Sequence, residues 1–171
     1  MSAASLPRPE AAAAAPAPAP MSFATQAPRR LAIFGATGTV GANALDIARS
    51  HRDAFDVTVL TAASQPEALI ALARQHQPEA VAIADATHYR TVRQALPAAI
   101  TVLAGPEGLC EAAAMAYDCM VCAITGFAAL APTLAAIRCG RTIALANKEC
   151  LVAAGPLIMA GCHEHRATLI P

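Results

Sequence analysis

Two short stretches carry residue types whose spacing could do chemistry. The first is "LAIFGATGTVGANALDI", residues 31–47, where Gly35, Gly38 and Gly41 are spaced by three between an apolar run and a helical pattern. At a strand–turn–helix junction, the first of three such glycines permits a tight turn. The second lets the backbone approach a phosphate with no Cβ in the way, and the third allows helix and sheet to pack closely. The helix start then presents free N–H groups and a partial positive charge to a diphosphate. Thr37 and Thr39 add hydroxyl donors in the same loop. The bland alternative is a glycine-rich turn with no ligand. The second stretch is "LANKEC", residues 145–150, where Asn147, Lys148 and Glu149 follow an apolar strand pattern directly. Residues so placed lie at the carboxyl edge of a parallel sheet, where open α/β folds bind ligands. A lysine there can hold an anionic substrate as a point charge; the bland alternative is a polar loop with a helix-start glutamate.

The loop spacing is G-x-x-G-x-x-G, one residue wider than the usual dinucleotide fingerprint, and reductases that use NADP(H) often show it. The end of the second strand gives a further test. A cofactor without a 2′-phosphate is usually held there by Asp or Glu on the ribose hydroxyls. This chain reads "TVLTAASQ", with Thr61, Ala62 and Ala63 followed by the neutral donors Ser64 and Gln65. The missing carboxylate favours NADP(H), although no Lys or Arg stands in the loop to clamp the extra phosphate.

Other candidates fall to packing. "CMVC", Cys119–Cys122, has metal-clip spacing, but it reads as a buried strand on which residues three apart face opposite sides. "HEH", His163–His165, sits at the polar end of the last helical pattern, where i and i+2 share no face. His51, His76 and His88 are isolated, and Gly126, at the end of the fifth strand, lies where a nicotinamide ribose would sit.

These residues need a frame to position them. After Arg30, apolar runs alternate with helical patterns, which argues βαβ units and a Rossmann-like, doubly wound, mainly parallel sheet in three α/β/α layers. The strands are expected at Leu31–Phe34, Asp56–Thr61, Ala80–Ala84, Ile100–Leu103, Met120–Ile124, Thr142–Leu145 and Thr168–Ile170. The helices are expected at Val40–Ser50, Pro66–His76, Thr87–Leu96, Glu107–Met115, Leu130–Cys139 and Pro156–His165. The strand runs are nearly continuous in apolar character, as befits strands covered on both faces.

Composition bounds the rest. The 171 residues suit one domain, 56% of them are hydrophobic, and 12 Lys+Arg balance 12 Asp+Glu, which argues against a general nucleic-acid binder. No run reaches the roughly 18 apolar residues of a membrane span. Residues 1–29 read as a disordered Ala/Pro tail ahead of the domain at 30–171, because prolines interrupt the alanines and no signal-type apolar core is present. Six cysteines without a secretory signal read as reduced and mostly buried, in a cytoplasmic protein. The final "RATLIP" reads as a strand after which an alternating chain continues, so the segment is expected to be the amino-terminal part of something longer.

Together, "FGATGTVGANALDIARSHRDAFDVTVLTA", "PTLAAIRCGRTIALANKECLV" and "ATLIP" resemble the 1-deoxy-D-xylulose 5-phosphate reductoisomerase family, over about Arg30 to Pro171. The resemblance implies an amino-terminal NADPH-binding domain. It also implies conversion of 1-deoxy-D-xylulose 5-phosphate to 2-C-methyl-D-erythritol 4-phosphate, in the non-mevalonate route to isoprenoids, by rearrangement and reduction. It implies NADPH contacts at Thr37, Gly38, Thr39, Val40, Ala63, Ser64, Gln65, Asn147 and Glu149, and a substrate contact at Lys148. Ser64 stands where the family has lysine. The family also uses a divalent metal, Mg or Mn, whose carboxylates begin in an Asp-Ser-Glu motif after the last strand seen here. No metal ligand or other catalytic residue is therefore expected in this chain, which should bind cofactor without turnover. The partners implied are a sugar phosphate and a second copy of the enzyme, with no nucleic acid and no membrane. The alternatives are another NADP-dependent α/β dehydrogenase of the semialdehyde type, which would need Cys150 as nucleophile, and a stand-alone nucleotide-binding module.

Overall fold

A computed structural model describes residues 27–171 of the chain. The expected tail lies outside the described residues except at its end, where Arg29 already opens the first strand. Seven strands, all parallel, form one sheet: β1 (Arg29–Phe34), β2 (Phe55–Ala62), β3 (Ala80–Ile83), β4 (Thr101–Ala104), β5 (Cys119–Cys122), β6 (Thr142–Leu145) and β7 (Thr168–Ile170). Their spatial order is β4-β3-β2-β1-β5-β6-β7. The chain winds outward from β1 to β4, returns, and winds outward again from β5 to β7. The order therefore reverses between β1 and β5, and a crevice opens at the carboxyl ends of those two strands.

Six helices cover the sheet: α1 (Thr39–Ser50), α2 (Pro66–His76), α3 (Tyr89–Ala95), α4 (Gly105–Ala114), α5 (Leu130–Arg138) and α6 (Lys148–His165). Alternation along β1 shows how the layers arise. Leu31 and Ile33 pack with Leu45, Leu69 and Val92 of α1, α2 and α3. Ala32 and Phe34 face the other way, among Leu109, Ile137 and Ile158 of α4, α5 and α6. A central strand must be apolar at every position to serve two cores, and Ala32, Ile33 and Phe34 are all fully buried. The three-layer Rossmann-like architecture follows.

Thr58 is one of two buried threonines in β2, and it has a local cause. The β1–β2 register slips between Leu31 and Ala32, which pair with Val57 and Val59, leaving Thr58 as the extra residue. Its buried hydroxyl donates to the Leu31 carbonyl at 3.2 Å, so the irregularity leaves no unpaired oxygen there.

The expected elements are all present, and four differences stand out among small shifts at other ends. The third helical stretch splits into a 3₁₀ turn at Ala86–His88 and α3, because Asp85 accepts from the Thr87 N–H and sets a local turn first. The fourth helix starts earlier, at Gly105, where a φ of +78° turns the chain and Pro106 suits the first turn. The fifth strand ends at Cys122 rather than Ile124, since the chain beyond Ala123 is drawn off toward Asn147. The expected Pro156–His165 helix is preceded by a further helical segment that starts at Lys148 under the Asn147 cap, and the two parts of α6 meet at a kink with non-helical angles at Ala154 (φ −138°, ψ 22°), just before Pro156.

Candidate functional site

The glycine junction is built as its spacing requires. Gly35 has φ +84°, and a Cβ on it would lie 2.8 Å from the backbone C and O of Ala123 at the tip of β5. Gly41 is tighter still, since a Cβ there would meet the Gly35 carbonyl oxygen at 2.3 Å. These two glycines let three backbones converge. Gly38 differs: its φ is ordinary, and a Cβ would meet nothing closer than the Gly35 oxygen at 3.5 Å. Gly38 is exposed and has room for a Cβ, so its backbone is open to approach, as a phosphate cradle needs.

The donors stand beside that glycine. Gly38 occupies the N-cap of α1, no side chain caps the helix, and its first turn holds no acid. Among the described residues the N–H groups of Thr39, Val40 and Gly41 find no acceptor, while the Gly38 N–H closes the turn onto the Gly35 carbonyl at 3.1 Å. Thr39 and Val40 are exposed and Thr37 half-buried. Open N–H groups at a helix start, with the helix dipole behind them, suit a dianionic group.

Thr61 anchors the loop from the other side. Its Oγ1 accepts from the Gly35 N–H at 3.0 Å and its carbonyl from the Ala36 N–H at 2.8 Å. Sequence reasoning noted Thr61 only for lacking a carboxylate. A buried threonine at the end of an apolar strand was the available signal of a bonding duty.

Ala63, Ser64 and Gln65 follow β2, all exposed. The loop is tied to β3 through the Ala84 and Asp85 N–H groups, which donate to the Ala62 and Ala63 carbonyls. That brings an acid, Asp85, beside the neutral loop. The Thr87 hydroxyl (2.6 Å) and backbone N–H hold its carboxyl below the ordinary range, with a lesser contribution from His88, so it is ionised.

At the far side of the crevice Asn147 is buried, and its amide is fully engaged. Nδ2 donates to the Ile124 carbonyl at 2.7 Å and to the Gly126 carbonyl at 2.8 Å, and Oδ1 accepts from the Cys150 N–H at 2.9 Å. Asn147 therefore caps α6 and fastens the β5–α5 segment with one side chain, which leaves its side-chain N–H groups no capacity for a ligand. Lys148 and Glu149 occupy the first turn of α6, exposed. With Thr125, Leu145 and Asn147 they line an open pocket of about 410 Å³. The glycine loop is not part of its wall. The two expected groups share one edge of the sheet without sharing one enclosed cavity, and they are linked by contact: Gly35 on Ala123, then Gly126 on Asn147.

The remaining candidates are structural. Cys119 lies in the layer under α1–α3 and Cys122 in that under α4–α6, so they cannot clasp one ion. All six cysteines are free. Cys150 is fully buried, and burial first, then the neighbouring Glu149, pushes its thiol up. A protonated, inaccessible thiol is no nucleophile, which counts against a semialdehyde-type dehydrogenase. His163 and His165 stand in the last turn of α6. Among the described residues no three His, Cys, Asp or Glu side chains come together to hold a metal, and no helix is long and apolar enough to cross a membrane.

Comparison with known proteins gives one answer. A family model described as 1-deoxy-D-xylulose 5-phosphate reductoisomerase matches residues 31–155. The chain is 41% identical over 144 residues to the curated enzyme of that name from Rhodospirillum centenum, covering 84% of this chain and 36% of that one. It is 43% identical over 154 residues to that from Rhizobium etli strain CIAT 652, covering 88% and 39%. Among solved structures it is similar to the enzyme from Zymomonas mobilis in complex with NADPH, with a TM-score of 0.80 and 41% identity over 84% of this chain and 38% of that one. A second solved relative, with a TM-score of 0.80 and 39% identity over 84% and 36% of the two chains, holds NADPH, fosmidomycin and magnesium. The chain thus spans between a third and two fifths of the length of these relatives. It belongs to the 1-deoxy-D-xylulose 5-phosphate reductoisomerase family.

Proposed function

We propose that this chain is the NADPH-binding part of an enzyme that converts 1-deoxy-D-xylulose 5-phosphate to 2-C-methyl-D-erythritol 4-phosphate. The observation that carries this reading is the exposed, unobstructed Gly38 beside the N–H groups of Thr39, Val40 and Gly41, which find no acceptor among the described residues. Those groups, with the positive end of α1, would hold the diphosphate. The Thr37 and Thr39 hydroxyls would add donors, and Ala63, Ser64 and Gln65 would border the adenosine ribose. NADPH, when bound, supplies the hydride for reduction. Lys148, exposed at the start of α6, would hold an anionic group of the sugar phosphate, with Glu149 beside it on the cofactor side. Asn147 would act through the segments it fastens. Among the described residues no side-chain cluster fits a divalent metal. By this reading the 171 residues bind reduced cofactor without turning substrate over, reside in the cytoplasm with free thiols, and belong to an enzyme that pairs with its own copy.

Titration of the chain with NADPH and NADH, followed by nicotinamide fluorescence, tests the reading. NADPH should bind with an intact fold, and no binding would overturn it. Ser64→Lys should raise the preference for NADPH over NADH by about fivefold, the effect of one partly exposed ion pair, in the same titration.

A further inference from the structure

The amino edge of the sheet, at the opposite end of α1 from the glycine loop, carries a cavity of about 190 Å³. Its wall contains Arg49 from the last turn of α1 and Arg52 from the turn that follows. Gln75 and His76 come from the end of α2, and Asp56 from the start of β2. Phe55 and Val57 supply an apolar part. Cations at helix carboxyl ends commonly answer the helix dipole or the last open carbonyls. Here other donors serve those carbonyls. The Ile47 carbonyl accepts from the His51 N–H, and the Asp46 carbonyl from the Ser50 hydroxyl. At the end of α2, the Gln77 N–H donates to the Ala73 carbonyl and the Gln77 Nε2 to that of Arg74. Arg93, by contrast, spends its guanidinium on the Ile100, Leu96 and Pro97 carbonyls.

The two guanidiniums of the cavity are thus largely unspent. Among the described residues Arg52 forms no ion pair, and Arg49 forms one, through a single nitrogen, with the Asp46 carboxylate at 3.2 Å. Asp56 shares the wall but pairs with neither arginine. The charge of both arginines reaches the half-buried His76, whose pKa is held below 6.5 by burial first, then by Arg52 and Arg49. A guanidinium is forked to match the oxygens of a phosphate. The cavity is smaller than the roughly 300 Å³ at which sites for drug-sized ligands begin, so a phosphate group suits it and a nucleotide does not. We propose that this cavity is an anion site that takes one phosphate group, free or on a small ester, between Arg49, Arg52 and His76. The proposal is independent of the dinucleotide reading, because the 12 residues of α1, about 18 Å of helix, separate the two places.

The test titrates inorganic phosphate into the chain at constant ionic strength, with chloride as the reference. NMR follows the His76 ring, whose signal is identified by its loss in His76→Gln. Phosphate should shift that signal saturably. It should also raise the pH at which the ring titrates, because an anion beside it favours the charged form over the opposition of Arg49 and Arg52, in the same sense as Asp56. Arg52→Gln should weaken phosphate binding by about three- to fivefold, the scale of one exposed ion pair. Asp56→Asn should tighten it by about as much, since a carboxylate in the wall repels the ligand. Gly38→Val should leave the His76 response intact, which separates this cavity from the glycine loop. Glycerol 3-phosphate distinguishes the sources of the group: binding at least as tight as that of inorganic phosphate assigns a small ester, and weaker binding assigns the free ion. A His76 signal that moves no further with phosphate than with chloride would overturn the proposal. So would phosphate binding that Arg52→Gln leaves unchanged or that Gly38→Val abolishes.

Discussion

At the start of α1 the chain puts glycine at the N-cap and leaves the first N–H groups open, whereas at the start of α6 it puts Asn147 there and uses every polar atom of the side chain. Both starts lie at the carboxyl edge of one sheet, two strands apart. The α1 end carries no acid in its first turn, while α6 begins with Glu149 close behind its cap. Open backbone donors therefore gather at α1, whereas α6 combines the exposed charge of Lys148 with the rigidity that Asn147 gives. The edge is asymmetric by construction: backbone N–H groups stand open on one side, and a buried amide fixes the wall on the other.

Breaking the α1 side should separate folding from binding. The largest loss of stability is expected for Gly41→Ala, whose Cβ would collide with the Gly35 carbonyl oxygen. Both groups are backbone and cannot yield cheaply, so urea unfolding should show a loss of about 3 kcal/mol or more. Gly38→Val should do the opposite. The fold has room for it, and stability should hold within about 1 kcal/mol, yet NADPH affinity should fall by roughly 100-fold, about 3 kcal/mol, because a branched side chain fills the phosphate space. If Gly38→Val bound NADPH normally in a fluorescence titration, the contrast between the glycines would be lost.

On the α6 side, Asn147→Ala should destabilise by about 1–3 kcal/mol, the cost of stranding buried partners. Asn147→Asp preserves the acceptor for Cys150 but loses both donors to Ile124 and Gly126. Hydrogen exchange should therefore quicken at 124–127 in Asn147→Asp while the Cys150 amide stays protected. Exchange that quickens nowhere would show that the amide is not what fixes the wall.

The smallest effect lies away from the edge. His76 is half-buried, and burial first, then Arg52 and Arg49, holds its pKa below 6.5. Its neutral form is favoured in the folded state. The stability this contributes is complete above pH 6.5 and declines as pH falls from there toward the lower folded value. Thermal melts of His76→Gln should show a shallower decline over that interval than the unsubstituted chain, with NADPH affinity unaffected.

The α1 side was legible in the sequence because glycine spacing is itself the mechanism: a residue without a side chain is required wherever backbones converge. The seven strands were legible for a related reason, since burial on both faces demands unbroken apolar runs such as Leu31–Phe34. The α6 side was only half legible. "LANKEC" marked an edge, but nothing in it told that Asn147 would turn inward, since asparagine suits caps and ligands alike. Pro156 marked the segment that resumes after the kink at Ala154, but the earlier part of α6 from Lys148 was missed, because only the Asn147 cap announces it. Thr61 was passed over, since its work depends on a partner 26 residues away.

The pairing of β1 with β5 joins Leu31 to Cys119, 88 residues apart along the chain, as are Arg30 and Asp118, whose bond closes the lower end of the same seam. The strands from β1 to β4 can assemble from neighbours, but this seam must await a distant partner, at a loop-closure cost that delays its formation. Gly35 rests on Ala123 only once the seam is shut. If the proposed cradle binds a nucleotide, that affinity emerges late in folding, and its recovery during refolding would time the joining of the two halves.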